Sequence, residues 1–194
     1  MIIAIDIDDT LGDFSSAFIK HIKKTKHKDV EIHDLKVGEW WNAWGGTREK
    51  ANEIIYEFLY SENSMQMRTR VGAVRALKIL KQARHTLYII TGRPAKVHDR
   101  TKKWVKDNLP DVFEEVFCTD FHIVNHGTES KGAIAERIGA SVLIDDFPGY
   151  AQECLDKGMR VLLFESFWNH GFKETKGITR VNNWDEALEQ LKIN

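Results

Sequence analysis

A chain of 194 residues with 42% hydrophobic and 29% charged residues suits one folded domain, or one with an insertion, and argues against a disordered or fibrous polymer. Its formal charge of -1 supplies no general attraction to nucleic acid or to an anionic membrane. The two cysteines, Cys118 and Cys154, form no CxxC pair, and no apolar run approaches the roughly 20 residues of a membrane span. A strand directly after Met1 leaves no room for a secretory leader, so the expected location is cytoplasmic, with no membrane partner.

Ile2-Ile-Ala-Ile5 is an unbroken apolar run that meets Asp6-Ile7-Asp8-Asp9-Thr10. Such a run reads as a short strand buried on both faces. Strand alternation sends Asp6 and Asp8 to the same side at its carboxyl end. Phe14 to Lys26 reads as a helix with Phe14, Ala17, Phe18 and Ile22 near one face and a basic end. Residues from about Asp29 to Arg70 carry no strand signal and read as a helical insertion. Within it, Trp40, Trp41 and Trp44 lie in a glycine-bounded aromatic stretch, and Thr47 can cap a helix to about Tyr60.

From Gly72 onward helices and strands alternate. A helix with Val74, Leu77, Ile79 and Leu80 leads to a strand over Thr86 to Thr91. A helix near Ala95 to Asn108, stopped by Pro110, precedes a strand over Glu115 to Thr119. A helix over Ser130 to Ile138 precedes a strand over Ser141 to Asp145, and a helix over Pro148 to Lys157 a strand over Arg160 to Phe164. Trp184 to Ile193 closes the chain as an amphipathic helix. This order predicts an α/β fold: a Rossmann-like, parallel, five-stranded sheet with helices on both faces and a small helical cap inserted after the first strand. Residues 1–12 and 71–194 would form the core, and 13–70 the cap.

Parallel strands share one carboxyl edge, where open α/β sheets bind ligands. Asp6, Asp8, Thr91, Asp145 and Asp146 all fall there, and Lys131 opens the helix before the fourth strand. Thr91-Gly92-Arg93-Pro94 offers a hydroxyl, an amide and a cation at a helix start, a combination that suits an anion. Each signal has a plainer reading by itself: Asp, Thr and Ser as caps, Lys131 as a solvated charge, Gly-Arg-Pro as a turn. Together they make a coherent site for a divalent cation and a phosphate. Sparse cysteine argues against zinc, and no GxGxxG or P-loop marks a nucleotide cofactor.

In this order, Asp6-Ile7-Asp8-Asp9-Thr10, Thr91-Gly92, Lys131 and Asp145-Asp146 resemble the motifs of the haloacid dehalogenase superfamily of phosphohydrolases. A narrower similarity, to the 5′(3′)-deoxyribonucleotidases and their bacterial and phage relatives, rests on Ile90-Thr-Gly-Arg-Pro94, Thr101-Lys-Lys-Trp104, Leu143-Ile-Asp-Asp-Phe-Pro148 and Val161-Leu-Leu-Phe164 with Trp168-Asn169. Asp9 departs from the glycine common at its position and adds negative charge beside the site.

The resemblance implies that Asp6 is a nucleophile forming an aspartyl-phosphate and that Asp8 serves the leaving alcohol as acid and then the water as base. It implies one Mg²⁺ at Asp6, Asp145 and the Asp8 carbonyl, with Asp146 ordering the metal shell. Thr91, the Gly92 amide and Lys131 would hold phosphoryl oxygens, with Asp9, Thr10 and Arg93 as further substrate contacts. Trp40 and Trp41 would face a nucleobase, although the cap tryptophans equally suit a small core of their own. The implied activity is Mg²⁺-dependent hydrolysis of (deoxy)nucleoside monophosphates. Alternatives are a nucleic-acid 3′-end phosphatase, a sugar-phosphate phosphatase and, last, a non-catalytic phosphate-binding protein. The expected partner is a small phosphorylated substrate and not a stably bound nucleic acid. A homodimer is one of the oligomeric states left open.

Overall fold

The computed structural model describes residues 1–34, 42–43, 46–120, 129–173 and 175–192. The tryptophans expected to face a base, Trp40 and Trp41, lie outside the described residues.

The sheet strands are β1 (Ile2–Ile5), β2 (Thr86–Thr91), β3 (Val116–Cys118), β4 (Val142–Asp145), β5 (Arg160–Phe164) and β6 (Ile178–Val181). The helices are α1 (Phe14–Lys26), α2 (Arg48–Tyr60), α3 (Glu62–Met65), α4 (Ala73–Gln82), α5 (His98–Asn108), α6 (Lys131–Arg137), α7 (Pro148–Asp156) and α8 (Trp184–Gln190). All strand pairs are parallel, in the order β3-β2-β1-β4-β5-β6. The sheet therefore has six strands, not the expected five. The additional strand, Ile178-Thr-Arg-Val181, lies at the edge beside β5. Only its two ends are buried, so it lacks the continuous apolar run that marks an interior strand.

Each central strand feeds two cores. On β1, Ile3 and Ile5 belong to the cluster built with Phe18, Leu77, Trp104 and Trp184, whereas Ala4 belongs to the cluster with Ile134, Tyr150 and Cys154. The same alternation holds on β4, where Ile144 faces the first cluster and Leu143 the second. Helices thus cover both faces, and a residue's parity decides which helix it meets. Asp6 has the parity of Ala4 and Asp145 that of Leu143, so both carboxylates fall on the side of α6 and α7.

The segment after β1 turns tightly: the Ile7 carbonyl accepts from the amides of Leu11 and Gly12 at 2.9 and 2.8 Å. The chain then leaves through Leu11–Asp13 and returns antiparallel through Arg68–Arg70, joined by Asp13 N to Arg68 O and Arg70 N to Leu11 O. Gly12 sits at this crossing, where an added Cβ would come within 2.3 Å of Met67 Cε. Two fully buried indoles secure the segments. Trp184 Nε1 donates to the Thr10 carbonyl at 3.1 Å and Trp104 Nε1 to the Met67 carbonyl at 2.9 Å. Between the two legs, α1 and α2 pack Phe14, Phe18 and Phe58 ring against ring, and these join the first core cluster.

Candidate active site

Strand order reverses between β1 and β4, which puts the crevice of an open α/β sheet at their carboxyl ends. Asp6 follows β1 directly, and its amide donates to the Ile144 carbonyl at 2.9 Å, which sets it beside Asp145. Lys131, the first residue of α6, comes down on the same side. Its Nζ lies 2.6 Å from Asp6 Oδ1 and 2.7 Å from Asp145 Oδ2, and 4.1 Å from the centre of the Tyr150 ring. Ser130 caps α6 by accepting from the Ala133 amide at 3.2 Å, which fixes where that lysine begins.

All members of this cluster are buried. Burial pushes the Asp6 carboxyl up to about 7; Lys131 opposes the rise, while Asp145 and Asp8 add to it. Burial would lower the Lys131 pKa, but Asp145 and Asp6 together carry it above the ordinary lysine value, so it stays charged. Asp146 is likewise raised well above the carboxylate range, by burial first and then by Asp9, Asp145 and Asp6. Three carboxylates therefore share one ammonium. The ligand atoms of Asp6, Asp145 and Asp146 lie within 4.8 Å of one another, an all-oxygen donor set of the kind Mg²⁺ takes.

Asp8 does not join that set. Its carboxylate accepts from Arg93 Nε at 2.9 Å and from Arg93 Nη2 at 2.7 Å. Arg93, anticipated as a substrate contact, is buried and has its guanidinium engaged on Asp8. Thr91 ends β2 fully buried, with its hydroxyl accepting from the Arg93 amide at 3.3 Å. Asp9 adopts a left-handed φ of 56°, and its carboxylate caps α1 by accepting from the Ser15 amide at 2.9 Å and from the Ser15 hydroxyl. Its side chain is thus turned to α1, while Arg70 binds its carbonyl. Thr10 is buried beneath this turn.

The carboxylates open into a cavity of about 170 Å³ whose polar lining is Asp6, Asp8, Asp9, Gly92, Arg93, Lys131, Asp145 and Asp146. The rest of its lining is largely apolar: Phe14 of α1, Ile55 and Leu59 of α2, Pro94, Phe147 and Tyr150, together with Arg48. The spacing of Ile55 and Leu59 along α2 suits an apolar helix face and by itself points to no site. Asn169 belongs to the Trp168-Asn169-His170 segment, which the sequence suggests packs or closes a loop near the site. It donates to the carbonyls of Asp146 at 2.7 Å and Phe164 at 2.6 Å, tying the loop after β4 to β5, and it accepts from Arg180 of β6 at 2.5 Å.

Comparison with known proteins bears on the family and the fold. A family model described as "5′ nucleotidase, deoxy (Pyrimidine), cytosolic type C protein" matches residues 1–193. A Bacillus cereus protein described as "Putative nucleotidase" is 29% identical over 195 residues, covering 96% of each chain. An Oceanobacillus iheyensis protein, also described as a "Putative nucleotidase", is 20% identical over 187 residues, covering 95% of each chain. Among solved structures, a haloacid dehalogenase-like hydrolase from Streptococcus pneumoniae superposes with a TM-score of 0.69 at 12% identity, covering 98% of this chain and 97% of that one. A HAD hydrolase from Bacillus subtilis, described as bound to magnesium, gives 0.66 at 16% identity, with 99% and 98% covered.

Proposed function

The chain belongs to the family of 5′ nucleotidase, deoxy (pyrimidine), cytosolic type C proteins, phosphoric monoester hydrolases of the haloacid dehalogenase superfamily, and we propose that it hydrolyses (deoxy)nucleoside monophosphates with Mg²⁺. The observation that carries this reading is the buried Asp6–Lys131–Asp145 cluster, opening into a cavity whose remaining lining is largely apolar. A phosphate belongs at the charged end and a nucleoside against the apolar wall. We assign residues 13–70 as the cap that supplies part of that wall.

In this mechanism Asp6 attacks phosphorus and the ester oxygen departs as Asp8 gives it a proton. Asp8 then takes a proton from the water that releases phosphate from Asp6, which regenerates both groups. Lys131, Thr91 and the Gly92 amide hold the phosphoryl oxygens as charge redistributes. Asp6, Asp145, Asp146 and the Asp8 carbonyl would hold Mg²⁺, which supplies positive charge to the same oxygens when bound. Asp9 and Thr10 shape the loop that presents backbone amides to phosphate.

Phosphate release tests the reading on 5′- and 3′-mononucleotides, sugar phosphates and a 3′-phosphorylated oligonucleotide, each with Mg²⁺ and with EDTA. Metal-dependent release favouring mononucleotides is the expected result. Preference for the oligonucleotide, with steep salt dependence, would replace it with an end-processing activity.

A further inference from the structure

Arg93 is the cation of the Thr91-Gly-Arg-Pro94 turn, and an anion-suited turn directs it towards phosphate. Its hydrogen bonds go elsewhere. Nε and Nη2 grip the two Asp8 oxygens at 2.9 and 2.7 Å, a fork that fixes both the position and the plane of the carboxylate. Thr101 Oγ1 at 3.5 Å from Nη1 and Met67 Sδ at 3.8 Å from Nη2 hold the guanidinium in place. The Arg93 side chain is 5% exposed and that of Asp8 25%, so the guanidinium is the anchored member and the carboxylate the presented one. Lys131 instead bridges two carboxylates, with one oxygen each of Asp6 and Asp145. The two cations divide the carboxylates: Asp6 and Asp145 stay with Asp146 in the donor set, and Asp8 is drawn out of it.

We propose that Arg93 is a positioning residue that acts through Asp8, aiming its carboxyl at the leaving oxygen and keeping it out of the metal's donor set. This rests on the reading of Asp8 as the acid of the proposed reaction. As the bond from Asp6 oxygen to phosphorus forms and the bond from phosphorus to alkoxy oxygen breaks, the Asp8 proton passes to the alkoxide. That transfer fails unless donor and acceptor meet within hydrogen-bond reach. Arg93→Lys keeps the charge but loses the fork, and a freed Asp8 can turn towards the Asp6–Asp145–Asp146 cluster.

The test compares Arg93→Lys, Asp8→Asn and the double variant on two esters: the alkyl monophosphate cleaved fastest in the panel above, and 4-nitrophenyl phosphate. The aryl leaving group departs without a proton. Arg93→Lys should lower kcat on the alkyl ester by about 10²-fold, the lower end of general-acid effects, with KM little changed. Its effect on the initial burst of 4-nitrophenolate, which reports formation of the aspartyl-phosphate and not its hydrolysis by the Asp8-activated water, should be far smaller, and it should add nothing in the Asp8→Asn background. A KM that rises about tenfold on both esters with kcat retained would make Arg93 a phosphate ligand and overturn the proposal. Additive losses in the double variant would do the same. Full alkyl-ester turnover by Asp8→Asn would remove the acid assignment itself, whereas an impaired Asp8→Asn beside an intact Arg93→Lys would sink the positioning role alone. Should the lysine variant not fold, Asp8→Asn/Arg93→Met leaves neither charge unpaired and reads the same coupling against Asp8→Asn. Equal rates support the proposal, and a further loss contradicts it.

Discussion

Lys131 sets its ammonium 2.6 Å from Asp6 Oδ1, joining the first residue of α6 to the residue that follows β1, and both groups are buried. The pair does more than hold two elements together, because Asp145 lies 2.7 Å from the same nitrogen. Removing the ammonium leaves two adjacent buried carboxylates without a counter-charge. Lys131→Met in EDTA should therefore lose about 3 kcal/mol of stability at pH 8. The loss should shrink at pH 6. Asp6 already takes a proton near 7, and without Lys131 it holds that proton more tightly, so at low pH the neutral acid needs no partner. Denaturant unfolding at both pH values checks this, and a loss independent of pH would contradict it.

A cluster of three carboxylates and one ammonium gains from a divalent cation. Mg²⁺ at about 100 times its dissociation constant should stabilise the folded chain by about 2.7 kcal/mol, seen as a higher thermal midpoint that EDTA reverses. Asp145→Asn removes one donor of the set and should abolish most of that shift. An unchanged Mg²⁺ shift in the variant would place the cation elsewhere.

Asp9 combines a strained backbone with a useful side chain. Its left-handed φ of 56° costs about 1 kcal/mol relative to glycine, and its cap on the Ser15 amide returns about the same. Asp9→Gly should thus lie within about 1 kcal/mol of the parent, while Asp9→Ala keeps the strain, loses the cap and falls below it by about 1 kcal/mol. Urea midpoints of the two variants decide the matter. Equal midpoints would mean that the cap alone sets stability there.

His21 of α1 is buried, edge-on to Phe58, with Nδ1 2.9 Å from the Asn63 amide of α3. Burial lowers its pKa, with Lys26 and Lys24 adding to the effect and Glu57 opposing it. The unfolded chain then binds the proton more readily, with an ordinary value near 6.5. Stability from this site is complete above about 6.5 and is lost as pH falls from there through the depressed folded value. His21→Phe should flatten the stability–pH curve over that window, whatever its offset. The parent slope surviving in the variant would assign it to another group.

The acidic edge was legible because parity and topology act together. Once Ile2–Ile5 and Val142–Asp145 are parallel interior strands, their acidic ends must meet, and a helix that opens on Lys131 must reach them. The strands from β1 to β5 and the helices between them, apart from the four-residue α3, follow from apolar runs and caps such as Thr47 and Ser130. What sequence could not supply were pairings between distant segments. Nothing in Thr91-Gly-Arg-Pro94 says that Asp8 lies within reach of Arg93, and nothing in Pro148-Gly-Tyr150 places a ring against Lys131. β6 stayed hidden because half of a four-residue edge strand is polar, so periodicity has too little to register. The apolar wall of the cavity draws on Ile55 and Leu59, whose role depends on how α2 packs over the edge and not on its own pattern.

In this mechanism Asp6 carries the phosphoryl group between the two steps. The most direct measurement quenches the enzyme during turnover of its best monophosphate, reduces the acyl phosphate with borohydride and maps the product by mass spectrometry. Asp6 should be converted to homoserine, dependent on substrate, with no conversion in Asp6→Asn, which should also be inactive and folded. An unmodified Asp6 in a sample shown to be turning over, or a label on Asp145 instead, would contradict it.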